Sequence, residues 1–355
     1  MEDFTAGTIS SQPIRRQSTL GPEWDARIHQ LVEEFGEGRA PELIEELIVT
    51  ALKMARDRMN VADLKLITRS TKELRYAAKI FARYQSFRKV AVFGSARVSL
   101  ESPEAMVAAE FARRMVANDF MIITGGGDGI MGAAQGGAGR EMSFGLNIRL
   151  PFEQRANEII EGDEKLINFN YFFTRKLNFV KETHAIALFP GGFGTLDETF
   201  EVLTLMQTGK ARIIPVVLLD KADGGYWETW MKFLNEHLLK LGFISPDDFY
   251  FFKIMHTVDA AVEEITTFYR VYHSERWVGE QLVLRLAHPL SEAKITQLNE
   301  HFSDILRHGS IVQRAALPQE MNEPEIAALP RLVFTPHRKS FGRFRELIDA
   351  INRAE

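Results

Sequence analysis

The segment 184–198 sets a short apolar run directly against a glycine-rich turn, followed by an amphipathic stretch. An unbroken apolar run such as 185–189 is typical of a strand buried on both faces of a parallel sheet. Pro190 ends this strand, and Thr195 can cap a following helix whose positive N-terminal end attracts an anion. The glycines between them can adopt positive φ and bring backbone N–H groups close to a ligand; they are Gly191, Gly192 and Gly194. We therefore predict that this loop binds a phosphate group.

Asp197 and Glu198 stand in the first turn of the predicted helix. A loop built only to hold a polyanion has no use for two carboxylates there, so we interpret them as acting on the sugar of a nucleotide. Breaking a ribosyl C–N bond develops positive charge on the ribose, which a nearby carboxylate stabilises, and the same carboxylate can activate the attacking water. Glu198 is the candidate for this role. Complementing the helix dipole is the alternative explanation, and for Asp197 the sequence supports both equally.

A charged pair, Arg175 and Lys176, lies in the amphipathic stretch 171–183. The residues of this stretch that we predict to pack inward are Phe172, Leu177 and Val180. A guanidinium among them needs an anionic partner. We predict that this partner is Glu198, because a cation within about 4 to 6 Å holds a carboxylate ionised. Lys176 points about 100° away from Arg175 and is either a pocket residue or an ordinary solvated lysine.

A second glycine-rich loop, 125–132, follows another predicted strand and includes Gly126, Gly127 and Gly129. From Gly127 onward it also satisfies the GxGxxG dinucleotide pattern. A dinucleotide site would have this pattern after the first strand, with an acidic residue about 20 residues later at the end of the next strand. Here the loop follows the second strand, although Glu153 lies near the required distance, so the dinucleotide alternative stays open. Two phosphate loops together favour a nucleoside monophosphate held between them.

Gly94, Ser95 and Arg97 follow the first predicted strand and offer a hydroxyl and a guanidinium at the rim of the pocket. Arg97 is suited to meet a phosphate or to stack on a base, and the alternative is a surface arginine without a ligand. Because the ligands of a doubly wound sheet lie at the carboxyl ends of its strands, we expect all three loops to line one pocket.

The alternation of apolar runs with amphipathic stretches between Lys89 and residue 272 predicts an α/β fold, a doubly wound, Rossmann-like parallel sheet. The predicted strands are 90–94, 121–125, 144–148, 166–169, 185–189 and 213–219. Helical periodicity precedes the sheet, and a mixed strand and helix pattern follows it. The predicted division is a mobile N-terminal arm 1–21, a helical region 22–87, a Rossmann-like nucleotide-binding domain 88–276 and a small α+β module 277–355.

The C-terminal module carries a locally basic cluster, which is either a solvated helix face or a site for an anionic effector. Its members are Arg331, His337, Arg338, Lys339, Arg343 and Arg345. The solvated face is the simpler interpretation. No feature of this module matches the phosphate-loop and charged-pair pattern found between residues 94 and 198, so we expect it to regulate or assemble the protein without supplying chemistry.

Composition excludes several classes of protein and site. The chain has 355 residues, 45% of them hydrophobic, which suffices for one large and one smaller core. Its net charge of −5 argues against a general nucleic-acid binder. The absence of cysteine excludes disulfides, thiolate metal sites and cysteine nucleophiles. No signal-peptide or membrane-span pattern is present, so we expect a cytoplasmic protein, and without an HExxH motif we expect neither a metal nor a cofactor.

The motifs resemble those of a known family. Residues 190–198 match the PGGxGTxxE signature of the Lonely Guy (LOG) family, often mislabelled as lysine decarboxylases. The loop 125–132 resembles the second glycine loop of that family, and Arg175-Lys176 stands where the family has its Arg-Lys pair. The run 145–154 resembles the longer bacterial branch. The resemblance extends over residues 88–272.

Members of the LOG family cleave the N-glycosidic bond of nucleoside 5′-monophosphates. The resemblance therefore implies that Arg175 and Glu198 are catalytic, that Glu153, with Gln154 and Asn157, contacts the base or ribose, and that AMP is the first substrate to test. It also implies at least a homodimer, because the family places its active sites beside a dimer interface. Two alternatives stay open: a nonenzymatic nucleotide-binding or cofactor-carrier protein on the same fold, and an interaction scaffold that binds no nucleotide.

Overall fold

The structure is a computed structural model that describes residues 19–36, 40–150, 155–221, 223–320 and 323–353. Most of the predicted arm 1–21 and the candidate residue Glu153 lie outside the described residues. The chain divides into two compact units, one ending at Arg75 and the other beginning at Tyr76. Within the described part, no helix is both long and apolar enough to span a membrane.

The first unit is helical, as predicted. Helices α1 (Pro22–Phe35) and α2 (Pro41–Arg56) each begin with a proline, which has no N–H to leave unsatisfied at that position. They enclose a small core of Ile28, Val32 and Val49. Helix α3 (Val61–Phe81) follows and extends past the boundary between the two units.

The second unit contains a sheet of seven strands that all pair in parallel. The strands are β1 (Arg88–Phe93), β2 (Phe120–Thr124), β3 (Ser143–Ile148), β4 (Leu166–Phe169), β5 (Ala185–Leu188), β6 (Val216–Leu219) and β7 (Phe252–Met255). Their order is β4-β3-β2-β1-β5-β6-β7. Six of these strands were predicted, whereas β7, an edge strand with a lysine at its second position, was missed.

Helices cover both faces of this sheet, which confirms the predicted doubly wound fold. They are α4 (Pro103–Val116), α5 (Ile130–Ala138), α6 (Phe172–Glu182), α7 (Phe193–Gln207), α8 (Tyr226–Phe233) and α9 (Val258–Phe268). Along β1, Val90 and Val92 face α4, α5 and α9, whereas Ala91 and Phe93 face α6, α7 and α8. Both faces of β1 therefore pack against helices, and this explains its unbroken apolar run in the sequence.

The strand order reverses direction between β1 and β5. In an open α/β sheet, ligands bind outside the carboxyl ends of the strands at this switch point. The loop 94–97 follows β1 there, and the loop 190–195 follows β5. The fold thus brings the predicted phosphate loop and the first loop together, as expected from the sequence.

A second sheet of four antiparallel strands forms the C-terminal part. The elements are β8 (Tyr272–Val278), β9 (Gln281–Leu286), α10 (Glu292–His301), β10 (Leu306–Arg314), β11 (Arg331–Pro336) and α11 (Phe341–Asn352), with strand order β10-β11-β9-β8. Strand β8 was not predicted, and the proposed domain boundary at 276/277 falls within it.

The C-terminal elements pack closely against the sheet-bearing part of the same unit. A Cβ atom on Gly342 would lie 1.9 Å from the backbone oxygen of Asp247, and one on Gly209 would lie 2.2 Å from the Phe341 ring. Asn352 accepts hydrogen bonds from the backbone N–H groups of Val271 and Tyr272, both at 2.9 Å. A division of labour between this part and the rest stays a proposal, but the contacts show that it does not stand apart.

The interpretation of the basic C-terminal cluster as a solvated face was wrong for its first and last members. Arg331 and Arg345 are fully buried. Arg331 contacts the buried Glu320 at 3.3 Å, and Arg345 pairs with Asp349 at 3.0 Å. These arginines are neutralised inside the fold, so they offer no charge to an effector.

Candidate active site

The loop between β5 and α7 is tight because Gly191 approaches two neighbours. A Cβ atom on Gly191 would lie 2.1 Å from the Thr195 hydroxyl oxygen and 3.0 Å from the Ser95 backbone nitrogen. Cβ atoms on Gly192 and Gly194 would meet nothing within 4 Å, so space is open beside the loop. None of these three glycines has positive φ. The predicted reason for glycine here was therefore wrong: the requirement is close approach at Gly191 and open space at the other two.

Helix α7 begins earlier than predicted, at Phe193, with Gly192 as its N-cap. Thr195 therefore lies inside the first turn rather than at the cap, and it is 6% exposed. The first backbone N–H groups of a helix have no intrahelical acceptor and carry the positive end of its dipole. These groups border the open space beside Gly192 and Gly194, which is an arrangement suited to an anion.

Ser95 connects the three predicted loops. Its backbone N–H donates to the Pro190 carbonyl at 3.0 Å, and its own carbonyl accepts from the Ile130 N–H at 3.0 Å. Gly129 has a φ of +65°, and a Cβ there would lie 2.4 Å from the Ser95 oxygen. Gly94 packs equally closely, because a Cβ there would lie 2.7 Å from the Ile130 side chain. The three loops are thus joined by hydrogen bonds and close packing, and a pocket lined by all three stays a prediction.

Asn157 holds the second glycine loop in place. Its carboxamide donates to the carbonyls of Gly126 at 3.1 Å and Gly127 at 2.9 Å, and to Gln135 Oε1 at 2.6 Å. Gly126 has a φ of +77°. The side chain of Asn157 is 7% exposed and its donors are used within the protein. The expectation that it contacts base or ribose is therefore replaced by a role in shaping the loop.

Arg97 remains at the rim. It is exposed, and its backbone N–H donates to the Ser95 hydroxyl at 3.1 Å. This bond fixes the loop backbone, while the guanidinium faces solvent. A contact between Arg97 and a substrate phosphate or base stays a prediction.

Arg175 is fixed by three contacts inside the protein. Its Nε donates to the Leu146 carbonyl at 2.7 Å, its guanidinium lies 5.0 Å from the centre of the Phe179 ring, and Nη1 lies 3.8 Å from Glu198 Oε1. A Cβ on Gly125 would lie 2.7 Å from Nη2, so the second glycine loop makes room for this side chain. The predicted meeting of Arg175 and Glu198 is confirmed geometrically.

The packing predicted around Arg175 was wrong in detail. The buried residues of α6 are Thr174, Asn178 and Phe179. Phe172 and Leu177, predicted to face inward, are 52% and 44% exposed, and the neighbouring Phe173 is 54% exposed. Phe179 thus packs in the core, whereas Phe172, Phe173 and Leu177 form an apolar surface on this helix that its own chain leaves exposed.

Glu198 is a buried carboxyl group that forms no hydrogen bond with either of its two nearest cations. Its side chain is 9% exposed, and the nearest nitrogen atoms, on Arg175 and Lys176, both lie at 3.8 Å. Burial raises the pKa of Glu198 to about 7, against the lowering influence of Lys176 and Arg175. Arg175 thus favours the ionised form of Glu198, as expected, but desolvation outweighs both cations and leaves the carboxyl only partly ionised near neutral pH.

The position of Glu198 also weakens the helix-dipole alternative. Because α7 begins at Phe193, Asp197 and Glu198 lie beyond its first turn. The dipole effect falls off within that turn. A buried carboxyl that far along the helix is therefore explained better by a ligand than by the dipole.

Lys176 lies among three carboxylates. Its ammonium contacts Asp197 at 2.8 Å, Glu201 at 2.9 Å and Glu198 at 3.8 Å, and its side chain is 15% exposed. The ordinary solvated lysine is thus excluded. Asp197 is 62% exposed and contacts Lys176 through one oxygen, so it lies at the surface beside the buried Glu198.

Sequence reasoning missed two residues of the site. Tyr226, at the start of α8, donates its hydroxyl to the Gly191 carbonyl at 2.7 Å and so supports the phosphate loop from behind. Glu201 was missed because it follows the recognised signature. Its spacing of three and four residues from Glu198 and Asp197 places all three on one side of α7.

The arrangement favours a monophosphate over a dinucleotide. The GxGxxG pattern follows β2, whereas the switch point lies at β1 and β5. Glu153, the acidic residue that a dinucleotide site would need, lies outside the described residues. Among the residues that the structure describes, no group of three or more His, Asp or Glu side chains is arranged to hold a metal ion.

Comparison with known proteins agrees with the geometry. A family model described as possible lysine decarboxylase matches residues 129–265. A probable cytokinin riboside 5′-monophosphate phosphoribohydrolase of Oryza sativa subsp. japonica is 29% identical over 165 residues, which cover 45% of this chain and 64% of the rice protein. A cytokinin riboside 5′-monophosphate phosphoribohydrolase of Arabidopsis thaliana is 28% identical over 165 residues, covering 45% of this chain and 73% of its own.

A solved structure also shows similarity. The molybdenum cofactor carrier protein of Chlamydomonas reinhardtii is 17% identical, with 51% of this chain and 96% of that protein covered and a TM-score of 0.34. At this level the similarity carries no conclusion about function. The Rossmann-like fold rests on the strand order itself.

Proposed function

We propose that this chain is a member of the Lonely Guy family, on the strength of its motifs, its family match and its named relatives, and that it hydrolyses the N-glycosidic bond of nucleoside 5′-monophosphates. The products are the free base and ribose 5-phosphate, and AMP is the substrate to test first. The observation that carries this proposal is the buried Glu198 carboxyl, placed between two cations on the helix whose N-terminus forms the phosphate loop.

The phosphate is assigned to the loop 190–195. Open space beside Gly192 and Gly194 and the N-terminus of α7 suit a dianion. From this loop to Glu198 is about one helical turn, ~5.4 Å. A phosphate held at the loop therefore brings the attached ribose beside the carboxyl group. Binding of the phosphate supplies orientation, which is a large part of catalysis when the reacting group is some distance away.

Glu198 stabilises the ribose as the bond to the base breaks. Positive charge develops on the sugar in that step, and a carboxylate in a partly desolvated site interacts with it more strongly than in water. A pKa of about 7 leaves a large share of Glu198 ionised at neutral pH. In its ionised form it can also accept a proton from the attacking water, since the best general base has a pKa near the working pH.

Arg175 positions Glu198 and the second glycine loop. Its contacts with the Leu146 carbonyl and the Phe179 ring fix the guanidinium, so it needs no rearrangement when substrate binds. Its charge favours the ionised form of Glu198, against the desolvation that opposes it. Lys176 and Asp197 lie beside this pair and contribute to its electrostatics.

We also expect the active protein to be at least a homodimer acting in the cytoplasm. Phe193, at the phosphate loop, is 94% exposed, and α6 exposes Phe172, Phe173 and Leu177 close in sequence to the catalytic pair. Apolar patches of this kind beside a site mark protein interfaces. A second copy of the chain would bury them next to the pocket.

The test is to incubate the purified protein with a panel of nucleoside 5′-monophosphates and measure free base by chromatography. Base release by the wild type and at least about 10²-fold slower release by Glu198→Gln would support the proposal. Tight binding of AMP with no base release would support the carrier alternative instead. Failure to bind any nucleotide would overturn both.

A further inference from the structure

Lys176 is tied to the residues on either side of Glu198 rather than to Glu198 itself. Its ammonium lies within hydrogen-bond distance of Asp197 and Glu201, but 3.8 Å from Glu198 Oε2. Glu201 is 31% exposed and Asp197 62% exposed, so Glu201 is the more enclosed of the two anchors. A lysine with three rotatable donors would otherwise be free to pair directly with the buried carboxyl.

We propose that Glu201 is a positioning residue. It holds the Lys176 ammonium 3.8 Å from Glu198, beyond hydrogen-bond distance, and so keeps the Glu198 carboxyl free to face the reacting ribose. This proposal rests on the proposed function and extends it to a residue outside the signature motif. Glu201 itself touches neither phosphate loop nor Glu198 by hydrogen bond. Its influence on the reaction passes through Lys176.

The charges around Glu198 explain why this anchor matters. Helix α6 presents Arg175 and Lys176 to it, and α7 presents Asp197 and Glu201. The cations lower the pKa of Glu198, whereas Asp197 and Glu201 raise it. A direct salt bridge with Lys176 would add a short charge-assisted hydrogen bond that the present geometry avoids. Such a bond would hold the carboxylate against α6 and weaken its interaction with the developing positive charge.

Glu201→Gln is the informative change. Glutamine keeps a similar shape but loses the charge, so it removes a negative neighbour and releases Lys176 toward Glu198. Both effects lower the pKa of Glu198. The acid limb of the kcat profile should therefore move to lower pH by about one pH unit. At its plateau kcat should fall while KM changes little, because the phosphate contacts are untouched.

Lys176→Met should shift the pKa of Glu198 in the opposite direction. Removing the cation raises the pKa of Glu198, because Lys176 is its largest lowering influence. The acid limb should move to higher pH. A merely structural role for either residue would lower activity or stability in both variants without moving their profiles in opposite directions.

A readout that does not depend on turnover separates this proposal from the proposed function. In protein labelled with 13C at glutamate carboxyl groups, the Glu198 resonance is assigned by its loss in Glu198→Gln. The pH midpoint of its titration should be lower in Glu201→Gln and higher in Lys176→Met than in the wild type. The control is Glu164→Gln, which removes the partner of Arg83 at the amino-terminal edge of the sheet, and it should leave the titration unchanged.

Unchanged or parallel shifts in the two variants would overturn the positioning role, whatever the activity. If the pKa of Glu198 shifts in opposite directions in the two variants but the protein releases no base from any nucleotide, the positioning role of Glu201 stands. Only the proposal that the protein is a hydrolase is then refuted.

Discussion

Replacing Glu198 by glutamine should cost activity and increase stability at alkaline pH. In the folded protein its pKa lies near 7, above the ordinary value of 4.5. Below pH 4.5 Glu198 is protonated in both the folded and the unfolded chain, so folding does not bury a charge. Between about 4.5 and 7 the unfolded chain releases a proton that the folded chain retains. Stability is therefore lost as pH rises through this window and levels off above it.

The size of this effect follows from the pKa. A rise from 4.5 to about 7 corresponds to about 3 kcal/mol once both states are ionised. Between pH 5 and pH 8 the wild type should lose about 2.5 kcal/mol through this group alone. Glutamine has the same shape and no charge to desolvate. The Glu198→Gln variant should thus gain about that much relative to wild type over the same interval.

The assay is chemical denaturation of wild type and variant at pH 5 and pH 8, with base release from AMP measured on the same preparations. Glu164→Gln serves as the control, because its carboxylate is 47% exposed. A pH dependence identical in wild type and Glu198→Gln would refute the account of Glu198 as a desolvated carboxyl. A stabilised variant with wild-type turnover would instead remove Glu198 from the mechanism.

Four further predictions concern the charged pair, the substrate phosphate, the assembly and the packing of the C-terminal part. Arg175→Ala should lower turnover at least about 10²-fold, with the fold retained as judged by circular dichroism, and wild-type turnover in this variant would contradict the role of Arg175. Adenosine should be a far poorer substrate than AMP, and equal rates for the two substrates would contradict the phosphate assignment. Phe193→Asp should move the mass by light scattering toward the 40.4 kDa of one chain, and a wild type already at that mass while active would refute the dimer. Gly342→Ala should destabilise the fold by about 1 to 3 kcal/mol in denaturant titrations, because its Cβ would meet the Asp247 carbonyl at 1.9 Å; an unchanged midpoint would show that the two segments are not held together there.

Hydrophobic runs predicted the centre of the main sheet well. The inner strand β5 (Ala185–Leu188) lies within the predicted run 185–189 and is buried along its whole length, because strands covered on both faces read as continuous apolar segments. The missed strands lie at sheet edges. In β7 only the first of four residues is buried, and β8 carries charged and polar residues along much of its length. These two edge strands lack a continuous apolar signal, whereas the edge strand β4 (Leu166–Phe169), with three apolar residues of four, was predicted at its own bounds.

The sequence predicted which residues form the candidate site, but not how burial changes their ionisation. Signature motifs identified Arg175 and Glu198, and the structure brings their side chains to 3.8 Å. What the sequence does not contain is the degree of burial. A carboxyl between two cations is expected to be acidic, yet desolvation reverses that expectation here. The role of Lys176 likewise depended on distances to three carboxylates, which no spacing rule supplies.

A single helix carries both halves of the proposed chemistry. The N-terminus of α7 faces the proposed phosphate site, and Glu198 stands one turn further along the same rigid element. Fixing the two on one helix sets the distance between phosphate and carboxyl without a closing loop, as preorganisation requires. The same arrangement buries Glu198 against α6, which makes its ionised form unfavourable for stability. If the proposed function holds, the group that opposes folding above neutral pH is the group that drives the reaction, and the stability and activity of Glu198→Gln must move in opposite directions.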